Sequence, residues 1–163
     1  SDLAKSYNQT LRATQQDVSA AERFNLLKDL DFFSEFIDQE VGEILRASTW
    51  HEFGARQPII QEGEIDDCFY VITSGRALVL KNEQTMRVLV PGDCFGEMGY
   101  LTKDKRTASI VADQSTALIK LNSTAINQVS LNCQVRFLKA FLRTLIQRLS
   151  ATTQQAAQQA KAH

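Results

Sequence analysis

The chain has 163 residues, 44% of them apolar and 23% charged, with a formal net charge of −1. That length supports one domain with a real core, and the near-zero charge offers no global basic field to nucleic acid. Three cysteines without a Cys-x-x-Cys pair, and two histidines as far apart as His51 and His163, fall short of a zinc ligand set. Reduced, buried thiols fit better and imply a cytoplasmic setting. No run of about 18 apolar residues marks a membrane span, and no signal peptide is visible. The start at Ser-Asp-Leu, without Met, and the Gln/Ala-rich end suggest a piece of a larger protein.

Residues 1–20 are polar, with a thin stripe of Leu3, Tyr7, Leu11 and Val18, and read as a linker or an exposed helix. Residues 21–47 turn helical. Phe24, Leu27 and Leu30 recur at helical spacing, then Phe32, Phe33, Phe36, Ile37, Val41, Ile44 and Leu45 supply a dense apolar face. Asp38 is the expected N-cap of a helix ending near Ala47.

From Thr49 to Asn122 the period becomes two. The expected strands are 49–53, 58–61, 68–73, 76–81, 87–90, 108–112 and 116–121, separated by turn signals such as Ser74-Gly75, Lys81-Asn82 and Pro91-Gly92-Asp93. Short, evenly spaced strands point to an antiparallel sandwich, roll or barrel. One long connection, between Val90 and Ala108, interrupts them, and such a loop is more often functional than decorative.

Residues 123–150 return to helix. Ser123 is the expected cap of a short helix to about Val129, followed by a longer one from Asn132 to Ser150. In the longer helix Val135, Leu138, Leu142, Leu145 and Leu149 step by 3 and 4 as two heptads. Phe137 and Phe141 make a second stripe, and Ile146 widens the first. Either one wide core face or two functional faces would give this pattern. Arg136, Lys139, Arg143 and Arg148 read as a solvated basic face. The tail from Gln154 is low in complexity and is expected to fray. The domain thus spans residues 21–150, with helices over 21–47, strands over 48–122 and helices over 123–150. A polar segment, 1–20, and a tail, 151–163, flank it.

The long connection carries the chemistry. It reads Phe95-Gly96-Glu97-Met98-Gly99-Tyr100-Leu101, then Lys105-Arg106-Thr107-Ala108-Ser109. Gly96 permits a sharp turn and close backbone approach to a ligand. A helical turn over 97–101 would present unpaired N–H groups to an anion. Arg106 adds a charged fork that matches phosphate, Glu97 an acceptor for a sugar hydroxyl, and Thr107 a hydroxyl beside the arginine. No nucleophile–base pair or clustered metal ligands stand out, so no catalytic or metal-binding residue is assigned and an enzyme is not expected.

This stretch resembles the phosphate-binding cassette of cyclic-nucleotide-binding domains. A second hallmark is Gly63-Glu64-x-x-x-x-Phe69-Tyr70-Val71-Ile72-x-x-Gly75, which in the family is scaffold. The resemblance spans roughly residues 24–149. It implies a mainly β fold: an eight-stranded antiparallel β-roll, or jelly-roll, with N-terminal helices and a C-terminal helical lid. It implies a ligand site of Phe95, Gly96, Glu97, Met98, Gly99, Arg106, Thr107 and Ala108. Glu97 would take the ribose 2′-hydroxyl, Arg106 the cyclic phosphate, and the N–H groups of 96–99 the phosphate and ribose oxygens. Leu89, Cys94, Phe137, Leu138 and Phe141 are the candidates for pocket wall or lid. The ligand would be cAMP or cGMP: cAMP comes first on family frequency, while Thr107 also permits cGMP. Gly99 and Tyr100 depart from the family's usual Ala and Leu, and Tyr100 is expected at the pocket wall.

The function implied is a regulatory sensor, free of cofactors, passing occupancy through its C-terminal helix to an effector in the same parent chain, such as a kinase or a channel. The late pattern Phe-Leu-x-x-Leu-Ile-x-Arg-Leu is similar to sensor domains of some bacterial serine/threonine kinases. A homodimer through that helix is a further candidate, and neither nucleic acid nor membrane is expected as a partner of these residues. Two alternatives stand beside this reading. One is a ligand-free relative used for dimerisation or partner binding. The other is a truncated catabolite-activator-type regulator, since only 13 residues follow Ser150.

Overall fold

The computed structural model describes residues 1–162, and the side chains of 1–11, 19–96 and 100–162. Helix α1, Asp2–Lys28, is continuous from the polar start, and the Ser1 hydroxyl accepts the Ala4 N–H at 3.4 Å. Leu3, Tyr7 and Leu11 are exposed, and among its described side chains the large one that α1 buries is Leu27, near its end. A 3-10 turn, Asp31–Phe33, drives Phe32 and Phe33 into the core.

Helix α2, Asp38–Ala47, follows. Its cap differs from the expected one. Ile37 occupies the cap position, and the Glu40 carboxylate reaches back to accept the Ile37 N–H at 3.0 Å. Asp38 instead faces Lys28 across a 2.9 Å ion pair. Glu40 is 2% exposed, and Arg136 faces it at 3.3 Å, so its charge is partnered.

Eight strands form two four-stranded sheets. They are β1 (Thr49–Phe53), β2 (Pro58–Ile60), β3 (Cys68–Ser74), β4 (Ala77–Lys81), β5 (Gln84–Leu89), β6 (Cys94–Phe95), β7 (Ser109–Ala112) and β8 (Thr116–Asn122). The sheet orders are β1-β8-β3-β6 and β2-β7-β4-β5, and every pairing is antiparallel. Early strands pair with late ones, β1 with β8 and β2 with β7, which winds the chain into the expected roll. Helices α3 (Glu97–Thr102), α4 (Ser123–Gln128) and α5 (Leu131–Ala162) complete it.

Strand β3 separates two cores. Phe69 and Val71 point toward the helices, where they meet Phe32, Phe33, Ile44 and Phe137. Cys68, Tyr70 and Ile72 point into the roll, with Leu89, Phe95, Ile110 and Leu118. A strand buried on both faces reads as a continuous apolar run, and Phe69-Tyr70-Val71-Ile72 is such a run. Phe69 and Phe137 meet edge to face at 5.1 Å, and Tyr70 stacks on Phe95 at 4.8 Å.

Strand β5 begins three residues before its expected start. Val79 pairs with Arg87 but Leu80 with Thr85, so the register shifts at Met86 and the period of two is broken there. Beyond the shift Arg87 is half-buried and Leu89 is buried. The β4–β5 hairpin turns on Asn82 and Glu83, with φ of 53° and 63°. That two-residue turn favours glycine at its second position, and glutamate there carries left-handed strain. Glu83→Gly is expected to raise stability by about 0.5–1 kcal/mol, net of the extra freedom of the unfolded chain. Thermal unfolding checks it: an unchanged or lowered midpoint would show no strain is relieved.

The C-terminal helices also differ from expectation. Asn122, not Ser123, caps α4, accepting the Ala125 N–H at 2.7 Å. Helix α5 continues past Ser150 to Ala162, where fraying was expected. Glutamine and alanine are good helix formers, and Thr152 and Thr153 bond back to the carbonyls four residues earlier, each at 3.0 Å. The buried face of α5 is Cys133, Phe137, Ala140 and Phe141. Val135, Leu138, Leu142 and Leu149 of the heptad stripe are exposed, as is Ile146, while Leu145 is half-buried and packs against the core, so most of the stripe looks to solvent. Among the described residues no helix is long and apolar enough to cross a membrane.

Candidate functional site

The site is built around Arg106, which is only 6% exposed. Its backbone is clamped to the loop before β3: its N–H donates to the Glu64 carbonyl at 2.7 Å, and its carbonyl accepts the Gly63 N–H at 2.8 Å. Its guanidinium is held by three acceptors. Nη1 donates to the Gly96 carbonyl at 2.7 Å, and Nη2 to the Cys68 carbonyl at 2.8 Å and to Asp66 Oδ1. Asp66 is itself fixed, because the same oxygen accepts the Cys68 N–H at 2.9 Å. Arg106 Nε is buried and has no hydrogen-bond partner among the described residues. The segment 63–68, expected to be scaffold alone, thus also positions the arginine.

Gly96 has φ +87° and joins β6 to α3. A Cβ there would lie 2.7 Å from the Cys68 carbonyl oxygen and 3.0 Å from the Tyr70 ring, so the close approach needs glycine. The Gly96 carbonyl also accepts the Tyr100 N–H at 3.0 Å. One peptide unit therefore links the start of α3 to the arginine.

A cleft of about 170 Å³ opens in the roll beside this cluster. Its walls include Phe95, Gly96, Arg106, Thr107, Ala108 and Leu89, six of the residues expected at the site. Ile60, Val79 and Ile110 supply apolar wall, and Arg87 and Arg148 bring two further guanidinia. No carboxylate is among the described lining residues. The expected roles of Glu97, Met98 and Gly99 rest on side chains and contacts outside the described ones.

The other expected wall and lid residues lie elsewhere. Cys94 is 2% exposed and packs among the helices. Phe137 and Phe141 are buried against Phe69, and Leu138 faces solvent. Alternation explains Cys94, since its neighbour Phe95 takes the inward position. Helical spacing explains the rest: the stripe of Phe137 and Phe141 is the core stripe. Tyr100 also turns away from the cleft and packs on Phe69 and Phe137, with ring centroids 6.2 Å from each.

Arg87, Arg148 and Asp66 are not site candidates on the sequence, where Arg148 reads only as part of a solvated basic face. For Arg87 a signal existed: the alternation Arg87-Val88-Leu89 puts it on the same face as the buried Leu89. Arg148 carried none beyond its place in a basic helix. The three cysteines are buried thiols with no disulfide between them. Burial pushes the Cys133 thiol up to about 12 and raises Cys68 as well, so both stay protonated and unreactive near neutrality.

Comparison with known proteins agrees with this geometry. The chain is 31% identical over 128 residues to a cGMP-dependent protein kinase of Toxoplasma gondii, covering 77% of this chain and 13% of that one. It is 32% identical over 143 residues to a cGMP-dependent protein kinase of Eimeria tenella, covering 85% and 14%. It therefore spans a small part of the length of these relatives. Among solved structures, a cyclic nucleotide-binding domain from Methylobacillus flagellatus shares the fold with a TM-score of 0.74 at 22% identity, covering 88% of this chain and 85% of that one. The regulatory domain of Toxoplasma gondii PKA, solved with cAMP, gives 0.63 at 19%, covering 76% and 50%. The family model described as cyclic nucleotide-binding domain matches residues 50–132, from β1 through Arg106 to the first turn of α5. With the strands of the roll, the clamped Arg106 and every described wall residue of the cleft but Arg148 inside that match, the chain belongs to the cyclic nucleotide-binding domain family.

Proposed function

We propose that the chain is a non-enzymatic regulatory module that binds a cyclic purine nucleotide in this cleft and reports occupancy through α5 to an attached effector. One observation carries the reading. A buried arginine, fixed by three acceptors, lines a cleft without a described carboxylate and keeps a buried donor, Nε, without a partner among the described residues. Buried donors are rarely left unmet, and an anionic ligand is the natural acceptor. Arg106 then holds the cyclic phosphate, with the N–H groups at the start of α3 beside it. Glu97 takes the ribose hydroxyl.

For the purine, the residues of the cleft support a reading other than family frequency. Arg87 lines it, and Thr107 follows Arg106 in the wall. Guanine offers a guanidinium two adjacent acceptors, N7 and O6, whereas adenine places a donor beside N7. That chemistry supports cGMP over cAMP; among the sequence relatives some are named for cGMP and others for cAMP.

Occupancy would reach α5 through Tyr100, which joins α3 to Phe137. The kinase names among the relatives support a protein kinase as the effector class. The exposed heptad stripe is the surface α5 offers to it or to a second subunit.

Parallel calorimetric titration with cAMP and cGMP tests the reading, with Arg106→Ala as control. Binding of either nucleotide that is lost in the variant supports it, and tighter cGMP supports the role of Arg87. No heat with either nucleotide, together with an unmoved melting temperature, would reject it.

A further inference from the structure

Helix α5 keeps two apolar stripes apart. Cys133, Phe137, Ala140 and Phe141 pack into the core. On the opposite side Leu131, Val135, Leu138, Leu142, Ile146 and Leu149 are each between 47% and 77% exposed. From Leu142 this outer stripe steps to Ile146 and not to Leu145, because Leu145 is half-buried against the core. The outer stripe is therefore not a heptad. It repeats every 11 residues: Leu131, Val135 and Leu138, then Leu142, Ile146 and Leu149, then Thr153, Ala157 and Ala160. The last three are exposed as well, and the Thr153 hydroxyl is already bonded to the Leu149 carbonyl at 3.0 Å. No charged residue falls on the strip.

The repeat sets a geometry. Eleven residues make about three full turns, so the strip runs nearly straight along the helix. Two helices meeting on such a strip lie almost straight with a slight right-handed twist, whereas a heptad demands a left-handed coil. Six large apolar side chains on one open face also favour a covering surface.

The charges choose the occupant. Helix α5 holds five cationic residues and no Asp or Glu. At about 100° per residue, Arg136, Lys139, Arg143 and Lys161 lie along one flank of the strip, and Gln134, Leu145 and Thr152 along the other. Arg148 lies farther round, on the side of the cleft. In a parallel pair of copies related by a two-fold axis, the basic flank of each helix meets the neutral flank of the other. In an antiparallel pair, basic meets basic. The strip is thus self-complementary in the parallel sense.

We propose that a second copy of this chain covers the strip, the two α5 helices lying parallel and nearly straight on the 11-residue repeat. The pairing needs no nucleotide, because the strip lies opposite the face that packs on the roll, so it stands apart from the cyclic-nucleotide reading.

Sedimentation equilibrium of the full chain without nucleotide tests it. Wild type is expected to pass from 18.3 kDa to twice that mass as its concentration rises, and its melting midpoint to rise with concentration. Leu142→Glu and Ile146→Glu should each weaken association more than about tenfold and remove that concentration dependence. Gln147→Glu, exposed but off the strip, should change neither. Leu131→Cys and Leu149→Cys, near opposite ends of the apolar stretch, should each form a disulfide with their own counterpart under mild oxidation, while the three natural cysteines stay buried. Parallel helices bring equal positions together; an antiparallel pair could join at most one of the two. A chain that is monomeric at every concentration would overturn the proposal. So would association that survives both glutamate variants, or cysteines that join at one position or at neither. Monomeric wild type that sediments with vesicles of anionic phospholipid would give the strip to a membrane surface instead. If a glutamate variant does not fold, the cysteine variants decide, since they place no charge on the strip.

Discussion

Arg106→Ala is expected to cost the domain its ligand and about 2–4 kcal/mol of stability even when no ligand is present. The two losses have different origins. Ligand affinity falls because the permanently charged fork clamped at the cassette is gone; one or two charge-assisted bonds are worth about 1.5–3 kcal/mol each, so at least tenfold weaker binding follows. Stability falls because the guanidinium is also structural. Without it the Asp66 carboxylate loses its cationic partner and keeps only the Cys68 N–H among its described bonds, and the Cys68 and Gly96 carbonyls lose a donor. Removing one partner of a buried pair costs about 3–5 kcal/mol. Here the figure is lower, because the Asp66 side chain is 25% exposed and water can reach part of it. For a chain of this size the melting midpoint should fall by about 4–16 °C.

Two companion variants separate the causes. Asp66→Asn keeps an acceptor for Arg106 without the charge, so it should bind nucleotide while melting earlier than wild type. Arg106→Lys keeps the charge without the fork, so it should recover only part of the affinity. An Arg106→Ala protein with an unmoved midpoint would show that the Asp66 pair contributes nothing in solution. One that binds within about twofold of wild type would remove Arg106 from the site.

Much of this arrangement is written in local pattern, and the exceptions have physical causes. The doubly buried β3 announces itself as an unbroken apolar and aromatic run, and the cassette by the joint spacing of Gly96, Glu97 and Arg106. Strand β6 cannot be read that way, because two residues have no period. The face that α5 buries is equally hidden. A heptad stripe and a phenylalanine stripe run side by side, and helical periodicity cannot say which one meets the sheet. Packing decides, by giving Phe137 the aromatic cage of Phe32, Phe69 and Tyr100. Asp66 and Arg148 are long-range partners, 40 and 54 residues from the groups they bond, Arg106 and the Cys94 carbonyl. On the sequence they look like ordinary surface charges. Only the closure of the roll brings them to the cleft.

The same closure makes Gly75→Ala the most damaging small substitution, with an expected loss of about 4 kcal/mol or more. Gly75 turns the chain from β3 into β4 with φ +87°. A Cβ there would meet the Ser115 carbonyl oxygen and lie 2.6 Å from Thr116 Cα and 2.7 Å from Thr116 Oγ1. These neighbours cannot give way cheaply. Thr116 is 2% exposed, opens β8, and its hydroxyl is bonded to the Arg76 N–H and carbonyl at 3.2 and 2.9 Å and to the Gln114 carbonyl at 2.8 Å. Left-handed backbone costs alanine about 1 kcal/mol; the rest is backbone displaced at the junction of three strands. Gly75→Asn tests that division. Asparagine tolerates the left-handed region but still carries a Cβ. If conformation dominated, Gly75→Asn would unfold near wild type in urea; if the contact dominates, it would fail as alanine does. The geometry predicts failure of both, with nucleotide affinity per folded molecule unchanged, because the turn lies outside the cleft. A loss under about 1 kcal/mol for either variant would mean that β8 can shift to admit the methyl group.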